Sequence, residues 1–266
     1  MRPPIRARKR FGQHFLEPAW IAKVVHAIAP SHDQTFLEIG PGRGALTSAL
    51  APHVRRIIAV EIDRDLADDL PARVPANVRV VTGDFLDVDL NALVGTEPLP
   101  LRVAGNLPYN VSSPILFRLL AAAREGRRFR DATLMLQKEV ADRLVARPGA
   151  SGYGVLAIQI GLLADVTRLL NLPPGAFRPS PKVTSALVGL RFRAAPADLR
   201  DRATFERVVR GIFLQRRKTL LNALRPIAVS AGLKVEQVIE QAGLDPTLRP
   251  QMLTIEELVR LSRAVL

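Results

Sequence analysis

The sequence contains no cysteine, so a disulfide framework, a thiolate nucleophile and a Cys-ligated zinc site are all excluded. Histidine is also scarce, and the four histidines, at positions 14, 26, 32 and 53, show no metal-ligand spacing. No apolar run approaches the roughly 18 residues of a membrane span, and the start of the chain lacks the apolar core and cleavage site of a secretory signal. We therefore expect a cytoplasmic protein that works without thiols, without a metal ion and away from membranes.

Acidic side chains are few relative to basic ones: 25 Asp and Glu face 38 Lys and Arg, which gives a formal net charge of +13. Such an excess favours a polyanionic partner, because each cation that neutralises a phosphate releases a condensed counterion. A basic ribosomal or chromatin protein would carry a similar charge, but such proteins are usually small and have little core. At 266 residues this chain is long enough for a sizeable core. The composition therefore predicts a globular protein that binds nucleic acid, and we expect a monomer.

Short apolar runs alternate with segments of helical periodicity over the first two thirds of the chain. This alternation predicts βαβ units, and runs that are apolar on both faces predict a parallel sheet covered by helices. A later run, "VTSALVGLRFR" at 183–193, is typical of a strand added antiparallel after a proline-rich loop. The five earlier runs are "TFLEIG" (35–40), "RIIAVEI" (56–62), "VRVVTGD" (78–84), "LRVAGNL" (101–107) and "ATLMLQ" (132–137).

The strand signal ends near 194–200, where "AAPADLR" has the composition of a linker. The later segments show the 3.6-residue periodicity of helices, and Thr254 with Glu257 has the spacing of a capping box. The sequence therefore predicts two domains. An α/β catalytic domain with a Rossmann-like, mostly parallel sheet covers 1–195, and a small all-helical domain covers 196–266.

A glycine-rich loop follows the first predicted strand. It places Gly40, Gly42 and Gly44 ahead of a helix, where glycine lets the backbone approach a ligand and the helix N-terminus offers N–H donors. Glu61 ends the second strand, 19 residues after Gly42, and suits a carboxylate that accepts two ribose hydroxyls. Dinucleotide sites share both features, and Ala45 completes their G-x-G-x-x-A fingerprint.

A second carboxylate favours a nucleoside ligand that has no phosphates. Asp84 ends the third predicted strand, so its carboxylate could accept the exocyclic amine of an adenine. Apart from Arg43, the glycine loop offers no basic side chain for a pyrophosphate. An adenosyl ligand without phosphates, bound in this fold, indicates S-adenosylmethionine and a methyltransferase, with a dinucleotide enzyme as the alternative.

The fourth predicted strand ends in Asn106, Leu107, Pro108 and Tyr109 at the same edge of the sheet. An amino group on adenine or cytosine is a poor nucleophile, because its lone pair is delocalised into the ring. Two acceptors off the ring plane, the Asn106 oxygen and a Leu107 carbonyl fixed by Pro108, would aim that lone pair at a methyl donor. Tyr109 could stack on a flipped base. In an arbitrary protein the tetrad would be a strand end with a core tyrosine, but beside an adenosyl site it favours amine methylation.

These motifs give the chain a resemblance to the rRNA adenine N6,N6-dimethyltransferase family, and within it to the small-subunit dimethyladenosine transferases. The matching segments occur in the family's order and lie between positions 8 and 188, whereas the helical C-terminal portion carries less of the likeness. They are "RKRFGQHFL" (8–16), "EIGPGRGALT" (38–47), "VEID" (60–63), "GDFL" (83–86), "NLPYNVSSPILF" (106–117), "MLQKEVADRL" (135–144), "SGYGVLAI" (151–158) and "FRPSPKVTSALV" (177–188).

The resemblance implies the transfer of four methyl groups from S-adenosylmethionine to two adjacent adenosines in the 3′-terminal hairpin of 16S rRNA. The partner would be the immature small ribosomal subunit, and the family also takes part in its maturation. The resemblance further implies that Phe177 stacks on the adenine opposite Tyr109. By the family's motifs, the cofactor contacts are His14, Leu16, Gly40, Glu61, Asp84 and Asn106. The family often has asparagine where this chain has His14, whose neutral imidazole can make a comparable hydrogen bond.

Two basic segments are candidate RNA contacts, which we assign to phosphate affinity rather than to sequence choice. The first would hold RNA near the active site, and the second would dock the helical domain. Their residues are Arg8, Lys9 and Arg10 in "RARKR" (6–10), and Arg216, Arg217 and Lys218 in "QRRKTLLNALR" (215–225).

Two alternatives stay open. A 23S rRNA adenine N6-methyltransferase of the macrolide-resistance type shares the fold and many motifs, although "NLPYNVSSP" and "LQKEVADRL" are closer to the small-subunit group. A largely non-catalytic assembly factor would use the same pocket for gating only. The joint presence of Glu61, Asp84, Asn106 and Tyr109 favours catalysis over that second alternative.

Overall fold

The structure is a computed structural model that describes residues 14–124 and 128–266, and these divide into two units. The α/β unit contains the described residues up to Ala141 together with Asp165–Phe192. The helical unit contains Asp142–Ala164 together with Arg193–Leu266. The sequence predicted a single boundary between residues 195 and 196, so the structure differs from that division. It places 142–164 with the C-terminal helices rather than with the sheet.

The elements of the α/β unit alternate along the chain as the sequence predicted. Its strands are β1 (Phe15–Leu16), β2 (Thr35–Ile39), β3 (Arg56–Glu61), β4 (Val78–Thr82), β5 (Leu101–Asn106), β6 (Phe129–Gln137), β7 (Ala164–Leu172), β8 (Phe177–Arg178) and β9 (Ser185–Phe192). Its helices are α1 (Pro18–Ile28), α2 (Ala45–Leu50), α3 (Arg64–Asp69), α4 (Leu90–Val94) and α5 (Ser112–Arg124). A further helix, α6 (Lys138–Leu144), begins in this unit and ends in the helical one.

Seven of the described strands form one sheet in the order β4-β3-β2-β5-β6-β9-β7. The strands β2 to β6 run parallel to one another, and β9 pairs antiparallel with β6. The predicted fold class, a mostly parallel sheet with a late antiparallel strand and a helical C-terminal portion, is confirmed. Strand β7 was not predicted, and neither was the small antiparallel pair of β1 with β8.

Burial explains why the central strands are continuous apolar runs. Every residue of β2 is buried, as expected for a central strand of a parallel sheet that pairs with β3 on one side and β5 on the other. Helix α1 packs Val24 and Ile28 into the same core cluster as Phe36 of β2 and Leu50 of α2. The sheet therefore has a rigid centre, and the loops at its carboxyl edge are held by fixed strand ends.

The helical unit contains α7 (Val155–Gly161), α8 (Arg202–Phe213), α9 (Leu220–Ser230), α10 (Val235–Gln241) and α11 (Ile255–Ala264). Helix α11 begins with the predicted capping box, in which the Thr254 hydroxyl accepts from the Glu257 N–H and the Glu257 carboxylate accepts from the Thr254 N–H. The Tyr153 hydroxyl donates to the Leu253 carbonyl at 2.9 Å, which ties the segment before α7 to the start of α11. Among the described residues, no helix combines the length and the apolar character that a membrane crossing requires.

Candidate active site

Four parallel strands bring the predicted site residues to one edge of the sheet. The glycine loop follows β2, Glu61 is the last residue of β3, Asp84 lies two residues after β4, and Asn106 is the last residue of β5. Because β2 pairs with both β3 and β5, and β3 with β4, the carboxyl ends of these strands are neighbours. Ligands of open α/β sheets bind at this edge.

Two cavities lie at this edge, and Gly40, Ile62 and Pro108 line both of them. The first, of about 90 Å³, contains most of the predicted cofactor and catalytic residues. The second, of about 270 Å³, contains Asp84 and Phe85. The predicted residues in the wall of the first cavity are His14, Leu16, Gly40, Gly42, Glu61, Asn106, Leu107, Pro108 and Tyr109.

The loop after β2 takes a shape that requires glycine. Gly42 has a φ of +58°, in the left-handed region that side chains rarely adopt. A Cβ at this position would lie 3.0 Å from the ring of Phe15, which covers the loop. The Gly42 N–H donates to Oε2 of Glu61 at 2.9 Å, so the loop is fastened to the end of the next strand.

Glu61 is held by backbone donors on both carboxylate oxygens. Besides the bond from Gly42, its Oε1 accepts from the Asp63 N–H at 2.9 Å. The side chain is 3% exposed, and this burial raises the pKa of Glu61, while the backbone hydrogen bonds oppose the rise. Each oxygen keeps a second lone pair, so the fixed carboxylate can still accept a hydroxyl from a ligand in the cavity.

Asn106 has a defined amide orientation. Its Nδ2 donates to the backbone carbonyl of His14 at 2.6 Å. A carbonyl only accepts, so the nitrogen is the atom on that side, and Oδ1 is left as the acceptor of this amide. The Pro108 carbonyl already accepts from the Val111 N–H at 3.2 Å. The neighbouring Leu107 carbonyl receives no backbone N–H from the residues that the structure describes.

Tyr109 is fixed at its ring and at its hydroxyl. The ring stacks on that of His14, with centroids 5.6 Å apart and planes 24° from parallel. The hydroxyl shares a hydrogen bond of 2.7 Å with Oγ of Ser185, which is fully buried. Burial raises the pKa of Tyr109, and the bond to Ser185 opposes the rise. The His14 ring is held in turn by a bond of 2.7 Å between Nδ1 and the Pro179 carbonyl.

Phe177 belongs to the hydrophobic core. It is 3% exposed and packs in the hydrophobic core with Leu16 and Met135, because β8 pairs with β1 and turns this side chain inward. The role predicted for Phe177, stacking on a target base, stays a prediction, and it would require the ring to leave its core position.

Glu38 lines the first cavity, and sequence reasoning assigned it no role. Its Oε2 is buried without a hydrogen-bond partner among the described residues. Burial raises the pKa of Glu38 to about 7, the Thr47 hydroxyl opposes this rise, and the charge of Glu61 adds to it. The available signal was a carboxylate in the middle of the otherwise apolar run "TFLEIG".

The predicted RNA contacts are only partly described. Arg216, Arg217 and Lys218 are exposed after α8 in the helical unit, and they line an open concavity of about 460 Å³. The other three predicted contacts, Arg8, Lys9 and Arg10, lie outside the described residues.

The chain is similar over nearly its full length to known proteins. Residues 5–261 match the family model described as ribosomal RNA adenine dimethylase. A relative from Acinetobacter baylyi named ribosomal RNA small subunit methyltransferase A is 44% identical over 261 residues, which cover 97% of this chain and 92% of the relative. A relative of the same name from Pseudomonas aeruginosa is 45% identical over 261 residues, which cover 97% and 94%.

Two solved structures share the fold. A dimethyladenosine transferase from Plasmodium falciparum is 26% identical with a TM-score of 0.79, and the match covers 93% of this chain and 96% of that one. The 23S rRNA methyltransferase ErmE is 27% identical with a TM-score of 0.68, and the match covers 94% and 99%.

Proposed function

Since the chain belongs to the ribosomal RNA adenine dimethylase family, we propose that it dimethylates N6 of two adjacent adenosines in the 3′-terminal hairpin of 16S rRNA. The substrate is the immature small ribosomal subunit, and the methyl donor is S-adenosylmethionine. The observation that carries the proposal is the fixed amide of Asn106 beside the Leu107 carbonyl, which accepts no backbone N–H from the described residues, at the edge where Glu61 and Asp84 line the adjoining cavities.

The residues at this edge fit an adenosyl group. Gly40 and Gly42 line the first cavity without side chains, and Glu61 presents a fixed carboxylate to ribose hydroxyls. Asp84 lines the larger cavity, where its carboxylate can accept the amine of the adenine ring. When bound, S-adenosylmethionine supplies a methyl group activated by the sulfonium. His14, Leu16, Gly40 and Gly42 complete the cofactor contacts of this proposal.

Asn106 and Leu107 act on the target amine. Oδ1 of Asn106 and the carbonyl of Leu107 each accept one N–H of the amine, which draws the nitrogen out of conjugation and aims its lone pair at the methyl group. Pro108 has a fixed φ, which holds the Leu107 carbonyl in place. Tyr109 presents its ring to the flipped base, and the proton lost after transfer needs no strong base, because the methylated amine is acidic.

The second methylation uses the same acceptors. One N–H remains after the first transfer, so the amine must turn until an acceptor holds that hydrogen and the lone pair again faces the donor. A site built from two neutral acceptors tolerates this turn, because either acceptor can hold the one remaining hydrogen.

RNA affinity comes from the basic segments. The cations at 216–218 are exposed together and would contact phosphates of the folded rRNA, while those at 8–10 would act near the active site. In this function the protein would act in the cytoplasm, as a monomer that binds the small subunit.

The test is to incubate the protein with methyl-labelled S-adenosylmethionine and small subunits that lack the modification, and then to map the label by mass. We expect label on N6 of two adjacent adenosines of 16S rRNA. Asn106→Ala should keep subunit binding but lower turnover by about two to three orders of magnitude. The exposed Asn91 of α4 offers a matched control, and Asn91→Ala should leave turnover unchanged.

Other distributions of the label contradict the proposal. In a parallel reaction with large subunits, label in 23S rRNA together with none in 16S rRNA would favour the large-subunit alternative, to which the likeness to ErmE points. Tight subunit binding without any label would leave only an assembly role. Near-normal turnover of Asn106→Ala would refute the acceptor role of this amide.

A further inference from the structure

Arg118 of α5 is bonded to the loop that follows β4. Its Nη1 donates to the Leu86 carbonyl and its Nη2 to the Val88 carbonyl. The guanidinium carbon also lies 5.8 Å from the ring centroid of Phe85. One planar side chain thus contacts three residues of the loop 83–89, and Arg118 is itself half-buried.

This loop carries the carboxylate that faces the larger cavity. Oδ1 of Asp84 accepts from the Leu86 N–H at 2.8 Å, and the Asp84 carbonyl accepts from the N–H groups of Asp87 and Val88 at 2.9 and 3.0 Å. Three N–H groups of the loop therefore donate to oxygens of Asp84 itself. Arg118 in turn satisfies two carbonyls of the loop, those of Leu86 and Val88, so both the N–H groups and the carbonyls of the loop have fixed partners.

The same helix also forms part of the cavity wall. Ile115 lies one turn before Arg118 on α5 and lines the larger cavity together with Asp84 and Phe85. Phe85 is 4% exposed, so it is packed between the cavity and the guanidinium. A change in the Arg118 contacts would move the two residues that meet a ligand base, without Arg118 entering the cavity.

We propose that Arg118 is a positioning residue that makes the cofactor site selective for a base with an exocyclic amine. The inference rests on the proposed function, in which Asp84 accepts the amine of the adenosyl group. With the loop fixed and Oδ1 of Asp84 engaged by the Leu86 N–H, the second oxygen would be available to accept that amine from a constant position. A base that carries a carbonyl at the same position would set two acceptors against each other, and a fixed carboxylate cannot turn away from it.

The experiment compares two ligands in calorimetry, S-adenosylhomocysteine and its deaminated analogue S-inosylhomocysteine, which has an oxygen in place of the amine. Three variants are compared with the wild type: Arg118→Met, Arg118→Lys and Arg124→Met. Lysine keeps the charge but cannot reach two carbonyls with a planar fork. Arg124 is exposed at the end of the same helix and provides the matched control.

We expect the wild type to bind the adenosyl ligand more tightly than the inosyl ligand by at least tenfold. Arg118→Met should weaken adenosyl binding by about tenfold, in keeping with a lost charge-assisted hydrogen bond, and leave inosyl binding nearly unchanged. The selectivity ratio therefore falls towards one. Arg118→Lys should behave like Arg118→Met, and Arg124→Met like the wild type. With rRNA as substrate, the KM for the cofactor should rise in Arg118→Met while kcat stays within about twofold of the wild type.

A merely structural role gives a different pattern. Equal weakening of both ligands by Arg118→Met, or an unchanged selectivity ratio, would overturn the inference. If Arg118→Lys kept the wild-type preference for the adenosyl ligand over the inosyl ligand, the paired hydrogen bonds of the guanidinium to two carbonyls would not be required for selectivity. If the wild type binds neither ligand, or prefers neither, the proposed function fails at the cofactor site, and this outcome is seen before any variant is made.

Discussion

Replacing Glu38 with glutamine should remove a loss of stability that the wild-type protein suffers as the pH rises towards neutral. The carboxyl lies in the middle of β2, is 2% exposed, and has an oxygen without a partner among the described residues. Its ionised form is therefore disfavoured in the folded protein. Glutamine has nearly the same shape and carries no charge at any pH.

The size of the effect follows from the pKa. Burial raises the pKa of Glu38 from 4.5 to about 7 in the folded protein. Between these values the folded state binds more protons than the unfolded state, so the free energy of unfolding falls as the pH increases. At 1.36 kcal/mol for each pH unit, the fall is about 3 kcal/mol in total, of which about 2 kcal/mol lies between pH 5.5 and 8.

The assay is urea unfolding at several pH values, followed by fluorescence. Trp20 is the single tryptophan of the chain and packs against the core cluster that covers the sheet, so it reports on the α/β unit. The free energy of unfolding of Glu38→Gln minus that of the wild type should become more positive by about 2 kcal/mol between pH 5.5 and 8. Asp68→Asn, which removes an exposed carboxylate of the same unit, should show no such trend.

Parallel stability curves for Glu38→Gln and the wild type over this pH range would refute the reasoning. They would mean that Glu38 is hydrated or paired in the folded protein, so that its burial costs nothing on ionisation. A difference that grows in the opposite direction would mean that a cation stabilises the ionised carboxylate, and Arg43 in the wall of the same cavity would be the first candidate.

Two further substitutions test contacts at the active site and on the helical unit. Replacing the three cations at 216–218 with glutamine should weaken binding to the small subunit. It should also reduce the slope of log affinity against log salt concentration by up to about three. An unchanged slope would mean that these cations do not contact RNA. Ser185→Ala removes the hydroxyl 2.7 Å from that of Tyr109, so kcat should fall several-fold, for a contact worth about 1 kcal/mol, with cofactor affinity unchanged. In a Tyr109→Phe background the same change should have no further effect, and a full additional loss of kcat would show that the two hydroxyls are not coupled.

Periodicity and strand ends were enough to predict the centre of the sheet. The runs that became β2 to β6 are apolar on both faces, and in a parallel sheet their carboxyl ends must meet, so Glu61 and Asn106 could be assigned to one edge before any coordinates. Strand β7 was missed because its pattern alternates and then breaks at Leu169 and Leu170, which suits a helix equally well. The pair of β1 with β8 has two residues in each strand, too few for any periodicity.

Other features of the site depend on packing that a sequence does not display. The stacking of His14 on Tyr109 joins residues 95 positions apart, and it depends on the antiparallel contact of β1 with β8. The core position of Phe177 depends on the same contact. The carbonyls to which Arg118 donates belong to a loop whose shape depends on the hydrogen bonds of Asp84. No sequence pattern links Arg118 to this loop, so the contact could not be predicted.

The helical unit is built from two separate segments of the chain, Asp142–Ala164 and Arg193–Leu266. Hydrogen bonds join the first segment to the second: the Gly149 N–H donates to the Gln251 carbonyl, and the Tyr153 hydroxyl donates to the Leu253 carbonyl. Recombination between relatives at a single linker would therefore split a folded module and pair α7 of one parent with the C-terminal helices of the other. Exchange of this module requires three simultaneous crossovers, so the two halves of the protein are expected to have been inherited together rather than shuffled.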